Sequence, residues 1–197
     1  DVSHMGVYEV RGADAASFAQ AAEAADELTV ARRISLGLSG TVPSLEEIRQ
    51  FEKWPQGKRT ERWLRATLAD RRSADFIAER LARALVGTDD GPFLLFRRRR
   101  FVTWLSDQIA DNVPYDELVV HLIADSGLWT DTPATNFVTA TIQPDADTGP
   151  DPNQLAARIA RAFLGVRIDC AECHDHPFDS WKQSDFQALA AFFGQTH

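Results

Sequence analysis

The amino-acid sequence predicts a mainly α-helical, multi-helix domain. Through most of the chain, apolar residues recur at intervals of three and four residues, as they do on the buried face of an amphipathic helix. Ser44 and Glu47 form a capping-box pattern directly before an apolar run, which indicates a helix start. The glycine patterns of dinucleotide-binding and phosphate-binding loops do not occur. These observations favour a helical core over an α/β fold.

The predicted helices of the first part of the chain each follow from a local pattern. Residues 13–26 are rich in alanine, the strongest helix former. A second helix is predicted at 26–36, and we expect it to end there because the stretch 37–40 contains glycines. The helix that Ser44 caps is predicted to end at the Trp-Pro-Gln-Gly turn at 54–57.

The remaining predicted helices are amphipathic. Segments 59–68 and 73–85 repeat apolar positions with helical spacing, and a turn at 88–92 follows them. The stripe Phe101, Trp104, Leu105, Ile109 predicts a long helix that ends near Asn112. Three further helices are predicted at 115–123, 154–164 and 184–193.

The motif C-x-x-C-H at Cys170, Cys173 and His174 contains both cysteines of the chain. This motif is the attachment signature of c-type haem, in which two thiols form thioethers and the imidazole takes one axial position on iron. In an α-helix the three side chains would share one face. The sequence therefore predicts one covalent haem c on an attachment helix near the C-terminus, with His174 as the proximal iron ligand.

Three other interpretations of the motif stay open. The cysteines could form a redox dithiol, although that motif is typical of a βαβ setting and strands are scarce here. They could be two buried, inert thiols. They could belong to a cramped zinc site without the usual distant second pair, with the ligands Cys170, Cys173, His174 and His176.

The iron ligand opposite His174 would decide the chemistry. Met5 is a poor candidate, and His197 ends the chain. His121 could be the distal ligand if its helix packs across the pocket; otherwise it is an ordinary surface or core histidine. Pro177 directly follows His176 and keeps it out of helical conformation, so we expect His176 to hydrogen-bond a haem propionate or the backbone. An iron with an open site is the remaining alternative.

A long irregular loop is predicted at about 126–153 and could cover one side of the haem. Its aspartates Asp145, Asp147 and Asp151 alternate with a glycine as in a calcium loop, but the closing glutamate is missing. The alternative is a solvated turn that caps the helix near Gln154. Calcium is therefore a second possible cofactor.

The run 97–100 consists of four arginines. We interpret it as a solvated helix start in which one arginine meets a carboxylate or a haem propionate. Aromatic residues near the motif are expected to wall the haem or to form ordinary core. They are Phe163, Phe178, Trp181, Phe186, Phe192 and Phe193.

Four segments outside the C-x-x-C-H motif resemble segments of one known protein family. Asp-His-Pro-Phe at 175–178 follows the motif, and Ala-Phe-Leu-Gly-Val precedes it at 162–166. The earlier stretches at 32–47 and 112–118 are the other two of these segments. Together, over roughly residues 27–194, they resemble the cytochrome-like proteins of planctomycetes. The resemblance implies a haem c module at the front of a larger secreted or envelope protein, without implying a reaction.

Composition sets the broad class of the protein. The chain has 197 residues, of which 44% are hydrophobic and 25% charged, as in a globular domain. Its formal charge of −8 argues against nucleic acid as a partner, and no apolar run is long enough for membrane insertion. Ser3-His4-Met5 resembles a vector remnant, so residues 1–5 are set aside and 6–197 are expected to form one domain of a larger protein.

The sequence thus favours an electron-transfer domain over an enzyme. Because thioethers to haem form outside the cytoplasm, we expect a periplasmic or envelope location. The expected partner is a redox protein or another domain of the parent protein. The alternatives are a haem enzyme or small-gas sensor with an open distal site and, further, a zinc-stabilised interaction domain.

Overall fold

The computed structural model describes residues 25–87, 97–128, 130–142 and 149–194, and all regular structure in these ranges is helical. This confirms the mainly α fold. Most of the predicted helix at 13–26, the whole turn at 88–92 and the aspartates Asp145 and Asp147 lie outside the described residues. The helices are α1 (Glu27–Ser39), α2 (Leu45–Glu52), α3 (Arg59–Ala69), α4 (Arg71–Val86), α5 (Arg98–Ala110), α6 (Tyr115–Ala124), α7 (Asn136–Thr139), α8 (Pro152–Ile159) and α9 (Gln183–Phe192).

Helices α1, α2 and α3 enclose a small aromatic core, the first cluster (Ala31, Phe51 and Trp63). The Trp63 indole N–H donates to the buried hydroxyl of Ser35 at 3.0 Å, which fixes α3 against α1. The predicted capping box of α2 is confirmed: Ser44 Oγ accepts from the Glu47 N–H at 3.2 Å. The Glu47 carboxylate accepts in turn from the Ser44 N–H at 2.7 Å.

The largest core lies between α4, α5, α6, α7 and α8 and is called the central cluster. One arginine of the 97–100 run, Arg98, meets a carboxylate, because its guanidinium lies 2.8 Å from Glu79 on α4. This confirms that part of the interpretation. The large side chains of the central cluster are Leu85, Phe101, Leu105, Leu118, Leu122, Phe137, Leu155 and Ile159.

The predicted loop at 126–153 is partly helical, which corrects the sequence prediction. Residues 133–135 form a 3₁₀ turn that leads into α7, and the Asn136 side chain is fully buried. Its Oδ1 accepts from the Arg97 N–H at 2.8 Å, across 39 positions of sequence. Because Phe137 belongs to the central cluster, this stretch contributes to the core, and its role as a cover over the haem stays a prediction.

Helix α8 joins the central cluster to a third core, which we call the C-terminal cluster. Leu155 and Ile159 face the central cluster, whereas the alanines of α8 pack on the other side. Beyond Ile159 the helix continues as a π-helical segment, Ala160–Leu164. The C-terminal cluster consists of Ala156, Ala157, Ala160, Ile168, Ala171, Phe186 and Ala190.

Arg158 ties α8 to α7. Its guanidinium donates to the carbonyls of Phe137 at 2.9 Å and Ala140 at 3.3 Å, at the end of the short helix. Burial, with a smaller contribution from Arg161, lowers the pKa of Arg158 to about 10. Across the described parts of the chain, no helix is both long and apolar enough to cross a membrane.

Candidate functional site

The C-x-x-C-H motif lies on a 3₁₀ helix, Asp169–Glu172, followed by a turn, and not on the predicted α-helix. The Ala171 N–H donates to the Ile168 carbonyl at 2.8 Å, which closes this tight turn. Cys170 lies on this helix, whereas Cys173 is the residue at its C-cap and follows the last helical position, Glu172. The predicted attachment α-helix is therefore corrected to a short 3₁₀ helix that carries Cys170, with Cys173 and His174 in the turn after it.

Burial divides the motif into an anchor and an outer face. Ala171, between the cysteines, is fully buried in the C-terminal cluster. Cys170 and Cys173 are both free thiols and both exposed. The buried methyl group fixes the backbone of the turn, whereas the two thiols face solvent and are open to reaction. This argues against the interpretation of the cysteines as buried, inert residues.

His174 is exposed, and its ring is oriented by one hydrogen bond. Nδ1 lies 2.7 Å from the Asp175 carbonyl oxygen. Since a carbonyl oxygen can only accept, Nδ1 carries the proton of the neutral ring and Nε2 carries a lone pair. Metal-binding histidines commonly donate their second ring N–H to a backbone carbonyl in this way. The His174 side chain is therefore prepared to bind a metal through Nε2.

His176 has the opposite tautomer. Its Nδ1 accepts from the Phe178 N–H at 3.2 Å, so the proton of the neutral ring is on Nε2. Its own backbone N–H donates to the Trp181 carbonyl at 2.8 Å, which closes the loop after the motif. The free Nε2–H is a donor. This is compatible with the predicted hydrogen bond to a propionate, which stays a prediction.

Gln183, the first residue of α9, holds the motif from the other side. Its side-chain amide donates to the Cys173 carbonyl at 3.1 Å and to the Glu172 carbonyl at 3.2 Å. Its backbone N–H donates to the Asp175 carboxylate at 3.0 Å. Sequence reasoning missed this residue, because a glutamine at a helix start has no local pattern that would single it out.

The aromatic residues around the motif divide into core and surface. Phe186 is buried in the C-terminal cluster, as ordinary core. Phe178 is 94% exposed and Phe192 is 82% exposed, and Leu164 nearby in sequence is also exposed. The structure therefore assigns Phe186 to the core, and the expectation that the exposed rings wall a haem stays a prediction.

His121, the predicted distal ligand, lies on α6, which belongs to the central cluster and not to the C-terminal cluster of the motif. Its Nδ1 lies 3.1 Å from the Asp125 carboxylate, and its ring meets Trp104 edge-on at 6.5 Å. Both contacts agree with the alternative that His121 is an ordinary surface histidine. Its role at an iron atom stays a prediction.

Asp151 caps α8, as predicted by the alternative in which the aspartates form a solvated turn before the helix. One carboxylate oxygen accepts from the N–H groups of Asn153 at 2.9 Å and Gln154 at 3.1 Å. Calcium binding by the complete set Asp145, Asp147 and Asp151 stays a prediction.

Among the described residues, which include all four candidate zinc ligands of the motif, no three His, Cys, Asp or Glu side chains are arranged to hold a metal ion. Zinc binding by Cys170, Cys173, His174 and His176 stays an untested alternative.

The chain matches one known protein family over most of its length. The family model PSCyt2, described as a protein of unknown function (DUF1549), matches residues 12–197. The chain belongs to the PSCyt2 family. The name of the PSCyt2 family is that of planctomycete cytochrome-like proteins, in line with the resemblance found in the sequence. No curated protein and no solved structure matches this PSCyt2 chain significantly.

Proposed function

We propose that this PSCyt2 chain is a c-type haem domain that transfers electrons in the cell envelope. The observation that carries the proposal is the hydrogen bond from His174 Nδ1 to the Asp175 carbonyl at 2.7 Å. It leaves Nε2 free to bind iron, directly after two exposed free thiols. A structural zinc site would require converging ligands, whereas haem attachment requires two accessible thiols and one imidazole.

The residues of the site fit haem c in three respects. Cys170 and Cys173 would each add their S–H across one vinyl group, with the sulfur and the hydrogen bonding to the two vinyl carbons. His174 would bind iron through Nε2. Phe178, exposed over 94% of its surface, would gain an apolar neighbour. When bound, haem c supplies one-electron redox chemistry.

The chain's own residues would fix the geometry of that site. The buried Ala171 and the two carbonyl contacts of Gln183 hold the backbone of the motif. The Asp175 carbonyl sets the His174 tautomer before any metal is bound. A site that is already ordered loses little entropy on loading and reorganises little on electron transfer.

The location and the partner follow from the same chemistry. Because the thioether bonds would form outside the cytoplasm, the domain would be exported to the periplasm or envelope. A redox protein, or another domain of the same parent protein, would supply and accept the electron.

The first experiment is an absorption spectrum of protein expressed in a host that matures c-type cytochromes. We expect a c-type spectrum whose haem stays on the chain after denaturation. Cys170→Ser with Cys173→Ser should abolish covalent haem, and His174→Ala should change the spectrum of the attached haem. His121→Ala changes the candidate distal ligand but no attachment residue, so it should leave the haem covalently bound. Covalent haem at wild-type level in the double cysteine variant would exclude the assignment.

A haem enzyme or small-gas sensor with an open distal site is the second candidate function. It is favoured by the placement of His121, whose ring is held by Asp125 and Trp104 and whose helix packs in the central cluster. Carbon monoxide separates the two candidates: a shifted spectrum of the reduced protein supports the open site, and an unchanged spectrum supports the six-coordinate electron carrier.

A further inference from the structure

A cavity of about 610 Å³ lies beside the start of α5, in the part of the molecule built on the central cluster. Its walls include Arg97, Arg99, Arg100, Thr103, Trp104 and Asp107. The volume is within the range of small-molecule sites, which is about 300–1,000 Å³. Neither the motif nor the proposed electron transfer uses these residues.

The cavity carries more positive charge than its own carboxylate can balance. Asp107 is already bound by Arg71 on α4, at 2.7 Å. Within the described ranges, neither Arg99 nor Arg100 pairs with a carboxylate; Arg100 instead donates to the Thr130 carbonyl. This local excess occurs on a chain whose formal charge is −8.

The dipole of α5 makes the excess positive charge of the cavity still less favourable. The first turn of α5 contains no acidic residue, so Arg99 and Arg100 lie near the positive end of the helix dipole with no carboxylate of that turn to offset it. A bound anion would remove this repulsion. Guanidinium groups also bind carboxylates and phosphates through paired hydrogen bonds.

Trp104 gives the cavity a flat apolar wall. Its ring stacks on the buried Phe101 at a centroid distance of 5.9 Å and an interplanar angle of 27°. His121 meets the same ring edge-on at 6.5 Å. The indole is thus held in a fixed orientation and only partly buried, which suits it to stacking on a planar ring.

We propose that this cavity binds a small organic anion with a planar ring, an aromatic phosphate ester or an aromatic carboxylate. The guanidinium groups of Arg99 and Arg100 would bind the anionic group, and the ring would stack on Trp104. A polyanionic partner such as nucleic acid fits poorly, because the rest of the chain would repel it. The site is independent of haem attachment, so either can be absent without the other.

The test is a titration of the protein with four probes, followed by NMR at the Trp104 indole N–H and the arginine Nε–H groups. Phenyl phosphate and benzoate carry both features, whereas inorganic phosphate and phenol each carry one. We expect the better of the first two to bind at least about tenfold tighter than either single-feature probe, equivalent to about 1.4 kcal/mol. Which of the two is better identifies the anionic group. Equal affinities for all four probes, or shifts confined to α1–α3, would contradict the proposal.

Variants locate the site. The exposed pair Arg99→Gln with Arg100→Gln should weaken phenyl phosphate binding at least about tenfold, since two charge-assisted contacts are lost. Arg32→Gln, an exposed arginine on α1, should leave the affinity unchanged. Trp104→Leu should remove the preference for a ring. If that variant does not fold, Thr103→Glu, which places a carboxylate at an exposed lining position, should prevent binding. Unchanged binding in the double arginine variant overturns the inference.

Discussion

Gly40 ends α1 with a φ of 71°, a conformation that other residues adopt only with strain. A Cβ atom at this position would lie 2.5 Å from ring atoms of Phe76 on α4. We expect Gly40→Ala to lower the free energy of unfolding by more than the roughly 1–2 kcal/mol that the left-handed backbone alone costs. Urea denaturation measures the change.

Gly57→Ala is the matched control for this prediction. Gly57 has a similar φ of 78°, but nothing lies within 4 Å of its added Cβ atom. The control should show the backbone strain without the clash. If both variants lose the same stability, the close contact between Gly40 and Phe76 is not present in solution.

The two histidines of the motif should differ in tautomer before haem is attached. The Asp175 carbonyl favours the proton on Nδ1 of His174, and the Phe178 N–H favours the proton on Nε2 of His176. Long-range ¹H–¹⁵N NMR at alkaline pH, where both rings are neutral, distinguishes the two forms. The His121 ring beside Asp125 serves as an internal reference. A proton on Nε2 of His174 would remove the observation on which the haem proposal rests.

At the scale of elements, Ser44 starts α2 through the reciprocal hydrogen bonds of the capping box. Ser44→Ala leaves the Glu47 N–H without its partner, so we expect a loss of about 1 kcal/mol in the free energy of unfolding. Ser184→Ala changes an exposed serine in the first turn of α9 and should have little effect. Thermal and urea unfolding of both variants check the difference, and equal losses would contradict the assigned cap.

The contact between α9 and the motif gives a prediction about the local order of the motif. Gln183→Leu removes the donors to the carbonyls of Glu172 and Cys173. We expect faster amide hydrogen exchange at Ala171 and a lower yield of covalent haem in a maturing host. Gln187→Leu, an exposed position on the same helix, is the control. Unchanged exchange together with unchanged haem yield would show that Gln183 does not position the motif.

Elements fixed by local pattern could be predicted, and elements fixed by distant contacts could not. The capping box lies within four consecutive positions and is confirmed. In contrast, Asn136 is buried because Arg97 supplies its hydrogen-bond donor from 39 positions away. The motif follows the same rule: its residue types could be identified in the sequence, but its 3₁₀ form is held by Gln183, ten positions beyond Cys173.

At the scale of the whole molecule, arginine–carboxylate pairs connect the helices of the first half. Arg72 on α4 bonds both Asp70, at 2.7 Å, and Glu47 on α2. These hydrogen bonds hold the pKa of both carboxyl groups below their ordinary values of 3.8 and 4.5. Glu79 is affected in the same way by Arg98, and the Ser106 hydroxyl followed by Arg71 lowers the pKa of Asp75.

These lowered pKa values make the fold sensitive to acid. Below about pH 5 the unfolded chain binds protons at these carboxyl groups before the folded chain does, so the free energy of unfolding falls as the pH falls. Above that range both states are ionised, and the stabilising contribution is complete. Because the pairs are partly exposed, added salt should weaken the contribution.

Arg72→Gln isolates the part of this effect that belongs to one residue. Without the guanidinium, the pKa values of Glu47 and Asp70 should return toward their ordinary values. The variant should therefore be less stable at neutral pH and should lose less further stability between about pH 5 and pH 2. Arg49→Gln, an exposed position on α2, should keep the wild-type slope. Urea denaturation across this pH range measures both slopes. A wild-type slope in Arg72→Gln would mean that other carboxyl groups control the acid response.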